Sequence, residues 1–301
     1  MTRILITGGS GLIGGHLTRA LRTAGHEVAH LGRRAGNRDG VRTYTWDLYH
    51  GRVEEGALEG VDHIVHLAGA GIADRRWNPD RIKELTDSRA ANALLLLRTA
   101  KRRGVTPKSF ISSAGANYFG AVTTDHVFTE DDPPGADTIA RISVAWERAV
   151  DEWSARCRVV KLRTPIVLAR EGGALPKLAL PVRYGLGAAL GHGRQWMPWV
   201  HIDDLVAAYM KALTDETMSG VYHVCAAEHV TNAAFMRTMA RVLHRPFLLP
   251  NAPAWALRAA LGEMAALLLD GSRVGSSRLR STGFQFRHDA LEPALADLLK
   301  R

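Results

Sequence analysis

Nine residues near the amino terminus, Thr7-Gly8-Gly9-Ser10-Gly11-Leu12-Ile13-Gly14-Gly15, have the makeup of a cradle for phosphate. They follow the apolar run Ile4-Leu5-Ile6 and lead into His16-Leu17-Thr18-Arg19-Ala20-Leu21, whose apolar residues recur at helical spacing. The expected local structure is therefore strand, glycine turn, helix. Gly8 permits the tight turn off the strand, Gly11 lets the backbone approach a pyrophosphate without a Cβ in the way, and Gly14 lets the helix pack closely. Free N–H groups at the helix start and the positive end of its dipole then favour an anion. Such glycine spacing also occurs in plain tight turns; here the position and the flanks point to a dinucleotide.

Which dinucleotide is decided at the end of the next strand, Glu27-Val28-Ala29-His30-Leu31, where NAD enzymes place an acid on the ribose 2′-hydroxyl. Here the chain reads Gly32-Arg33-Arg34, with no carboxylate at that point. A guanidinium fork matches a 2′-phosphate in charge and shape, so NADP(H) is expected over NAD(H). The rival role for Arg33 and Arg34 is that of two solvated loop residues.

Positioning such groups takes a sheet, and the chain has the pattern for one. Strand-like segments at Arg3 to Thr7, Glu27 to Gly32, Arg42 to Trp46, Val61 to Leu67, Lys108 to Ser113 and Arg158 to Arg163 alternate with helical ones, the longest running from Asp80 to Arg103. Alternation of this kind predicts an α/β fold, a Rossmann-type doubly wound parallel sheet with ligands at the carboxyl edge of its strands. Beyond Pro165 the pattern loosens into a stretch rich in glycine, ending at Arg194-Gln195-Trp196-Met197-Pro198-Trp199-Val200-His201-Ile202-Asp203-Asp204. Asp203 or Asp204 suits the cap of a helix from Leu205 to Leu213. The remainder is mainly helical, with amphipathic runs at Asn232 to Leu243 and Ala254 to Leu269, and closes on a strand-like Gly283-Phe284-Gln285-Phe286. The division expected is a dinucleotide-binding domain over 1–165, to which 195–225 return, and a smaller, mainly helical substrate lobe from 166–194 and 226–301.

Composition narrows the class. The chain has 301 residues, 46% hydrophobic and 23% charged, enough for one large core or two smaller ones. Two cysteines, no apolar leader ahead of the first strand and no apolar stretch long enough to span a bilayer point to a reduced, cytoplasmic setting without a membrane partner. A net charge of +9 raises the question of nucleic acid. The basic residues are dispersed, however, and the densest run, Lys101-Arg102-Arg103, ends a helix where cations complement the dipole, so no nucleic acid is expected. No metal is expected either, and the oligomeric state is open.

Further phrases carry a resemblance. His66-Leu67-Ala68-Gly69-Ala70-Gly71-Ile72-Ala73 with Arg76-Trp77, Asp87-Ser88-Arg89, Ala145-Trp146-Glu147, Gly172-Gly173-Ala174-Leu175, Gly191-His192-Gly193-Arg194-Gln195-Trp196-Met197 and His201-Ile202-Asp203-Asp204 stand in order along the chain. With Gly8, Gly11 and Gly14 they resemble an atypical branch of the extended short-chain dehydrogenase/reductases, within the NAD-dependent epimerase/dehydratase family, labelled nucleoside-diphosphate-sugar epimerase; some members carry a cell-division-inhibitor label. The tail, from Leu243-His244-Arg245-Pro246 through Gly262-Glu263-Met264 to Gly283-Phe284, resembles the C-terminal domain of unknown function found in that branch, placed at about 248–296. The resemblance implies a cofactor shell of the backbone around Leu12 and Ile13, Arg33 and Arg34 on the ribose phosphate, Asp47 and Leu48 beside the adenine, Ala68 and Gly69 along the inner ribose and phosphates, and Arg163 near the nicotinamide. Asp47 has the rival role of capping the turn after its strand, and Ala68-Gly69 that of a tight strand exit.

The chemistry is less complete. Working members of the superfamily use a tyrosine and a lysine four residues later, the lysine and the cofactor's charge depressing the phenol pKa. The tyrosines stand at 44, 49, 118, 184, 209 and 222, and none is followed by lysine at that spacing. In the helix that should carry the pair the chain reads Ile142-Ser143-Val144-Ala145-Trp146-Glu147. The proton then needs another handler. Ser112 and Ser113 leave the fifth strand where the superfamily keeps a hydroxyl, although counting back from Tyr118-Phe119-Gly120 puts Ala114 in the reactive slot. The candidates are Ser113, Tyr118 and His201, the last with the rival role of a structural hydrogen-bonding residue.

Arg194-Gln195-Trp196 with Trp199 have the makeup to hold an anionic, ring-bearing substrate, or to pack as lid and core; Trp77 invites the same two readings. The function expected is an NADP(H)-binding oxidoreductase or epimerase-like enzyme acting on a small polar metabolite, a sugar nucleotide by family analogy. The alternative is a cofactor-binding sensor or partner-docking protein that has lost its proton relay.

Overall fold

In the computed structural model, which describes residues 1–300, the run Ile4-Leu5-Ile6 is buried on both sides, as a central parallel strand requires. In chain order the strands are β1 (Arg3–Thr7), β2 (Glu27–Gly32), β3 (Gly36–Arg38), β4 (Val41–Asp47), β5 (Arg52–Val53), β6 (His63–His66), β7 (Ser109–Gly115), β8 (Val127–Phe128), β9 (Arg158–Thr164), β10 (Ile166–Leu168), β11 (Trp199–His201), β12 (Gly220–His223) and β13 (Arg273–Val274). The main sheet has the order β12-β9-β7-β6-β1-β2-β4-β3, with β5 on β4. Its strands are parallel except at β3 and β5, which pair antiparallel with β4. The direction of winding reverses between β1 and β6, where a doubly wound sheet opens its ligand crevice. β3 and β4 form a hairpin whose turn, Asp39-Gly40, has both φ angles positive, 53° and 77°.

The helices are α1 (Leu12–Thr23), α2 (Pro79–Asp87), α3 (Ala90–Arg102), α4 (Thr138–Asp151), α5 (Leu175–Arg183), α6 (Ile202–Thr214), α7 (Asn232–Val242), α8 (Ala254–Leu261), α9 (Ala266–Leu269), α10 (Ser277–Ser281) and α11 (Leu291–Leu299). Strand alternation divides the sheet's apolar residues between two faces. Ile4, Ile6, Val65, Ile111, Val160 and Leu162 pack with Leu17 and Leu21 of α1 and Leu205 and Tyr209 of α6. Leu5, Ile64, Phe110 and Val159 pack on the other face with Leu95 and Leu96 of α3 and Trp146 and Trp153 of α4 or just beyond it. A third core, with Val182 of α5, Phe235 and Met239 of α7 and Leu295 of α11 around Trp199, builds the C-terminal lobe.

Several boundaries depart from the sequence reading. The helix expected from Asp80 to Arg103 is two, because the backbone turns at Ser88 and Arg89, where Arg89 donates to the carbonyls of Leu85 and Ala70. The run from Ala254 to Leu269 breaks at Gly262, whose φ is 62°. His201 rather than Asp203 or Asp204 caps α6, its Nδ1 accepting from the Asp203 amide at 3.1 Å. The Asp204 carboxylate instead accepts from the amides of Arg287 and His288, at 2.7 and 2.9 Å, and ties the tail to α6. The tail segment Gly283 to Phe286 is not a strand: Phe284 and Phe286 turn into the α1–α6 core. The glycine-rich stretch holds α5 and β11, and the strand β12 extends the sheet beyond β9.

Candidate dinucleotide site

The glycine turn closes on itself so tightly that side chains are excluded. A Cβ on Gly8, whose φ is 71°, would stand 2.9 Å from the amide nitrogen of Ala68; one on Gly14 would stand 2.5 Å from the Gly8 carbonyl oxygen. Gly11 is the N-cap of α1, no side chain bonds its first amides, and the first turn contains no acid. Those amides are free for an anion, and the dipole has no competing carboxylate. Gly9, to which no role was assigned, is needed for a different neighbour: its missing Cβ leaves room for the His30 ring, which bonds Thr18 at 2.8 Å from beneath the turn.

Across the crevice, Thr7 joins the ends of β1 and β6. Its Oγ1 accepts from the amides of Leu67 and Ala68, at 3.2 and 3.1 Å, and lies 2.9 Å from His66 Nδ1. With two amides donating to it, the hydroxyl gives its own proton to Nδ1, which leaves Nε2–H to donate to the Arg89 carbonyl at 3.2 Å. Burial holds this histidine neutral, its pKa pushed down to about 4. Arg89 completes the wall: its guanidinium donates to the Ala70 carbonyl, lies 5.2 Å from the Trp146 ring centroid and fills the space a Cβ on Gly69 would need. Neither His66 nor Arg89 was given a role from sequence, because the groups they bond, Thr7 and the Ala70 carbonyl, lie far from them along the chain.

Arg33 and Arg34 follow β2 and are exposed, and Asp39 of the adjoining hairpin pairs with Arg38 instead. Asp47 accepts from the His50 amide at 3.0 Å and bonds the His50 ring at 2.6 Å, which depresses its pKa. Its turn-capping role is thus realised, and the neighbouring Leu48 remains exposed as an apolar flank.

The three proton-handling candidates lie apart. Ser113 pairs in register with Leu162 and faces α6, its Oγ 3.5 Å from Thr164 and beside the buried Tyr209 phenol. Ala114 pairs with Arg163 and belongs to the opposite face. On that face Arg163, 2% exposed, is held by Glu147 through Nε at 2.6 Å and Nη2 at 3.1 Å, approaches His223 at 3.3 Å, and lies 3.6 Å from the ring centroid of half-buried Tyr118. Lys161 approaches the same carboxylate at 3.5 Å. From α4, Ser143 packs against Gly115 at the end of β7 and Glu147 follows four residues later, so this spacing carries a hydroxyl and an acid in place of a phenol and a base. His201, 1% exposed, is enclosed under the C-terminal tail.

His201, Asp203 and His288 bring ligand-type atoms within 4.8 Å of one another. The two imidazoles stack, however, with centroids 3.7 Å and planes 18° apart, so their in-plane lone pairs do not converge on a point. His201 Nδ1 is in addition occupied by the α6 cap. The proposed ring-binding group is also dispersed: Trp199 is buried in the lobe core, Gln195 donates to the Leu190 and Leu268 carbonyls, and Trp196 is bonded to the Thr124 carbonyl under Arg273. Trp199 therefore packs as core.

A glycine turn between strand and helix at the switch point, unpaired cations beyond β2 and a lobe over the carboxyl edge define a dinucleotide-binding protein of the Rossmann type. Comparison with known proteins agrees. Residues 4–225 match the model of the NAD dependent epimerase/dehydratase family and residues 252–298 that of a C-terminal domain of unknown function, DUF1731. The chain is 35% identical over 301 residues to mouse "Epimerase family protein SDR39U1", covering 99% of each, and 38% identical over 295 residues to Mycobacterium bovis "Epimerase family protein Mb2239", covering 97% of this chain and 96% of the other. The crystal structure of human SDR39U1 with NADPH superposes with a TM-score of 0.88 at 33% identity, covering 100% of both chains. The chain belongs to the NAD dependent epimerase/dehydratase family.

Proposed function

We propose that the chain binds NADP(H) along the carboxyl edge of its sheet and acts as an oxidoreductase or epimerase-like enzyme on a small metabolite in the cleft below the C-terminal lobe. The observation that carries the reading is the glycine turn at the switch point, closed to side chains, with Arg33 and Arg34 exposed beyond β2. The nicotinamide supplies hydride chemistry when bound. Gly8, Gly11 and Gly14 admit the pyrophosphate to the amides of Leu12 and Ile13, Ala68 and Gly69 border it from β6, and Leu48 flanks the adenine. The NADPH in the human relative supports the choice of cofactor. Tyr118, seated on Arg163 beside the end of β7, is the proton-handling residue that this arrangement favours over Ser113 and His201.

Calorimetry with NADPH and NADH tests the cofactor. A guanidinium–phosphate bond is worth about 1.5–3 kcal/mol, so replacing both Arg33 and Arg34 by alanine is expected to weaken NADPH at least tenfold and leave NADH unchanged. Equal affinities for the two cofactors in the unmodified chain would overturn the choice. The label of the branch that the sequence resembles, nucleoside-diphosphate-sugar epimerase, suggests sugar nucleotides, and NADPH oxidation across a panel of them tests that class. A second reading, a cofactor-binding sensor or partner-docking protein, is favoured by Ser143 and Glu147 at the spacing of the missing dyad. Tight NADPH binding with no oxidation by any metabolite would decide for it.

A further inference from the structure

A cavity of about 550 Å³ opens between the sheet domain and the C-terminal lobe, a volume suited to one small organic molecule. Its walls are Trp77 from the loop after β6, Ile139 from the first turn of α4, and Ala265, Ala266 and Leu269 from the α8–α9 segment. Both sheet-domain walls arise where the chain leaves the carboxyl edge, so the cavity borders the same edge as the dinucleotide crevice.

We infer that this cavity binds an uncharged, ring-bearing molecule rather than a nucleoside diphosphate, an inference that rests on the cleft being the substrate site. The charges lead there. Arg258 is the cation among the lining residues, and Asp137, Glu263 and Asp270 are the acids. The Asp137 carboxylate is occupied by the amides of Ala121 and Ala140, at 2.6 and 2.8 Å. Glu263 and Asp270 line the cavity together with Arg258, and the Arg76 guanidinium reaches the rim beside Gly262. A diphosphate must exchange its water for cations in excess of nearby acids. Here three acids stand against two cations, since the amides that bond Asp137 are neutral and leave its charge, and a diphosphate gains no net attraction. A flat apolar ring does gain: the Trp77 indole is fixed by its Nε1 donating to the Ile72 carbonyl at 2.9 Å, which makes it a wall rather than a free donor. Alkyl groups of α4 and α9 stand with it around the cavity, an arrangement that rewards aromatic contact area.

The test is calorimetry on the full chain, with and without saturating NADPH, titrated with indole, indole-3-acetate and UDP. Indole is expected to bind, with the carboxylate and the nucleotide about tenfold weaker or more. Trp77→Ala, and Ala266→Phe, which fills the cavity from the opposite wall, are each expected to lower indole affinity about fivefold while NADPH affinity stays as it was. UDP binding as tightly as indole, no heat from indole in either state, or indole affinity untouched by both substitutions would overturn the inference. Failure of the unmodified chain to bind NADPH would defeat the cofactor reading instead, and the titrations without cofactor decide the cavity in that case.

Discussion

Gly14 has no room for a side chain, because a methyl there would press on the Gly8 carbonyl at 2.5 Å. Gly14→Ala is therefore expected to push α1 off the turn and weaken NADPH by about tenfold or more, some 1.4 kcal/mol, as read by calorimetry on a variant whose circular dichroism is unchanged. His66 carries a pH dependence. Buried and neutral, it titrates near 4 in the folded chain against 6.5 as its ordinary value. Between those values the unfolded chain takes up a proton that the folded chain refuses, so stability is complete above the window and falls as pH drops through it. The loss is roughly 3 kcal/mol. Urea unfolding from pH 7 to pH 4 should show this slope reduced in His66→Gln; part of it stays with His223, which burial and Arg163 push down to about 3. The glycines and arginines were legible in sequence because their use is local. His66 was not: its partners Thr7 and Arg89 lie 59 and 23 residues away and meet it only in the fold.

At the scale of elements, β1 and β6 were legible as short apolar runs bounded by turn residues and β4 by its alternation of apolar and polar residues, while β2, β7 and β9 kept apolar clusters around their few polar positions. The break between α2 and α3 was not, since the residues around Ser88 and Arg89 keep helical composition and the interruption is imposed by bonds to the β6 loop. Arg89 makes those bonds half-buried, its pKa pulled down to about 10 by loss of solvent, with carbonyls rather than a carboxylate as partners. Arg89→Met keeps the stem and leaves the Leu85 and Ala70 carbonyls without this donor, at a cost of roughly 3 kcal/mol. A lower Tm together with weaker NADPH binding is the expected pair of results; a lower Tm alone would confine the residue to stability. Likewise His201 looked like a chemical residue at a strand end and serves as a helix cap, a role that depends on the α6 amides turning toward it.

For the whole molecule, the C-terminal domain is anchored to the sheet domain as well as lying above the cleft. Leu279 and Phe284 join the α1–α6 core, β13 pairs with β8, and Asp204 on α6 takes the amides of Arg287 and His288. Asp204→Asn replaces a charged acceptor by a weaker one with an N–H group facing a donor, and about 2 kcal/mol of local stability should go. Hydrogen exchange should then quicken through residues 284–299 while β1 and β7 keep their protection; uniform quickening would mean that the tail and the sheet unfold as one unit. Among the described residues no helix is long and apolar enough to cross a membrane.

The buried acid on α4 also constrains what this chain can become. Its carboxylate lies 2.6 Å from one guanidinium nitrogen and 3.5 Å from an ammonium group, so installing tyrosine at 143 and lysine at 147 would crowd three positive charges into one dry pocket. A return to the ordinary dyad is thus not a two-letter edit: Lys161 would keep Asp151 at 2.6 Å, but Arg163 would lose the carboxylate that holds it and would have to be neutralised together with the exchange at 147. Laboratory evolution toward conventional turnover should accordingly find its proton donor elsewhere before it rebuilds that pair.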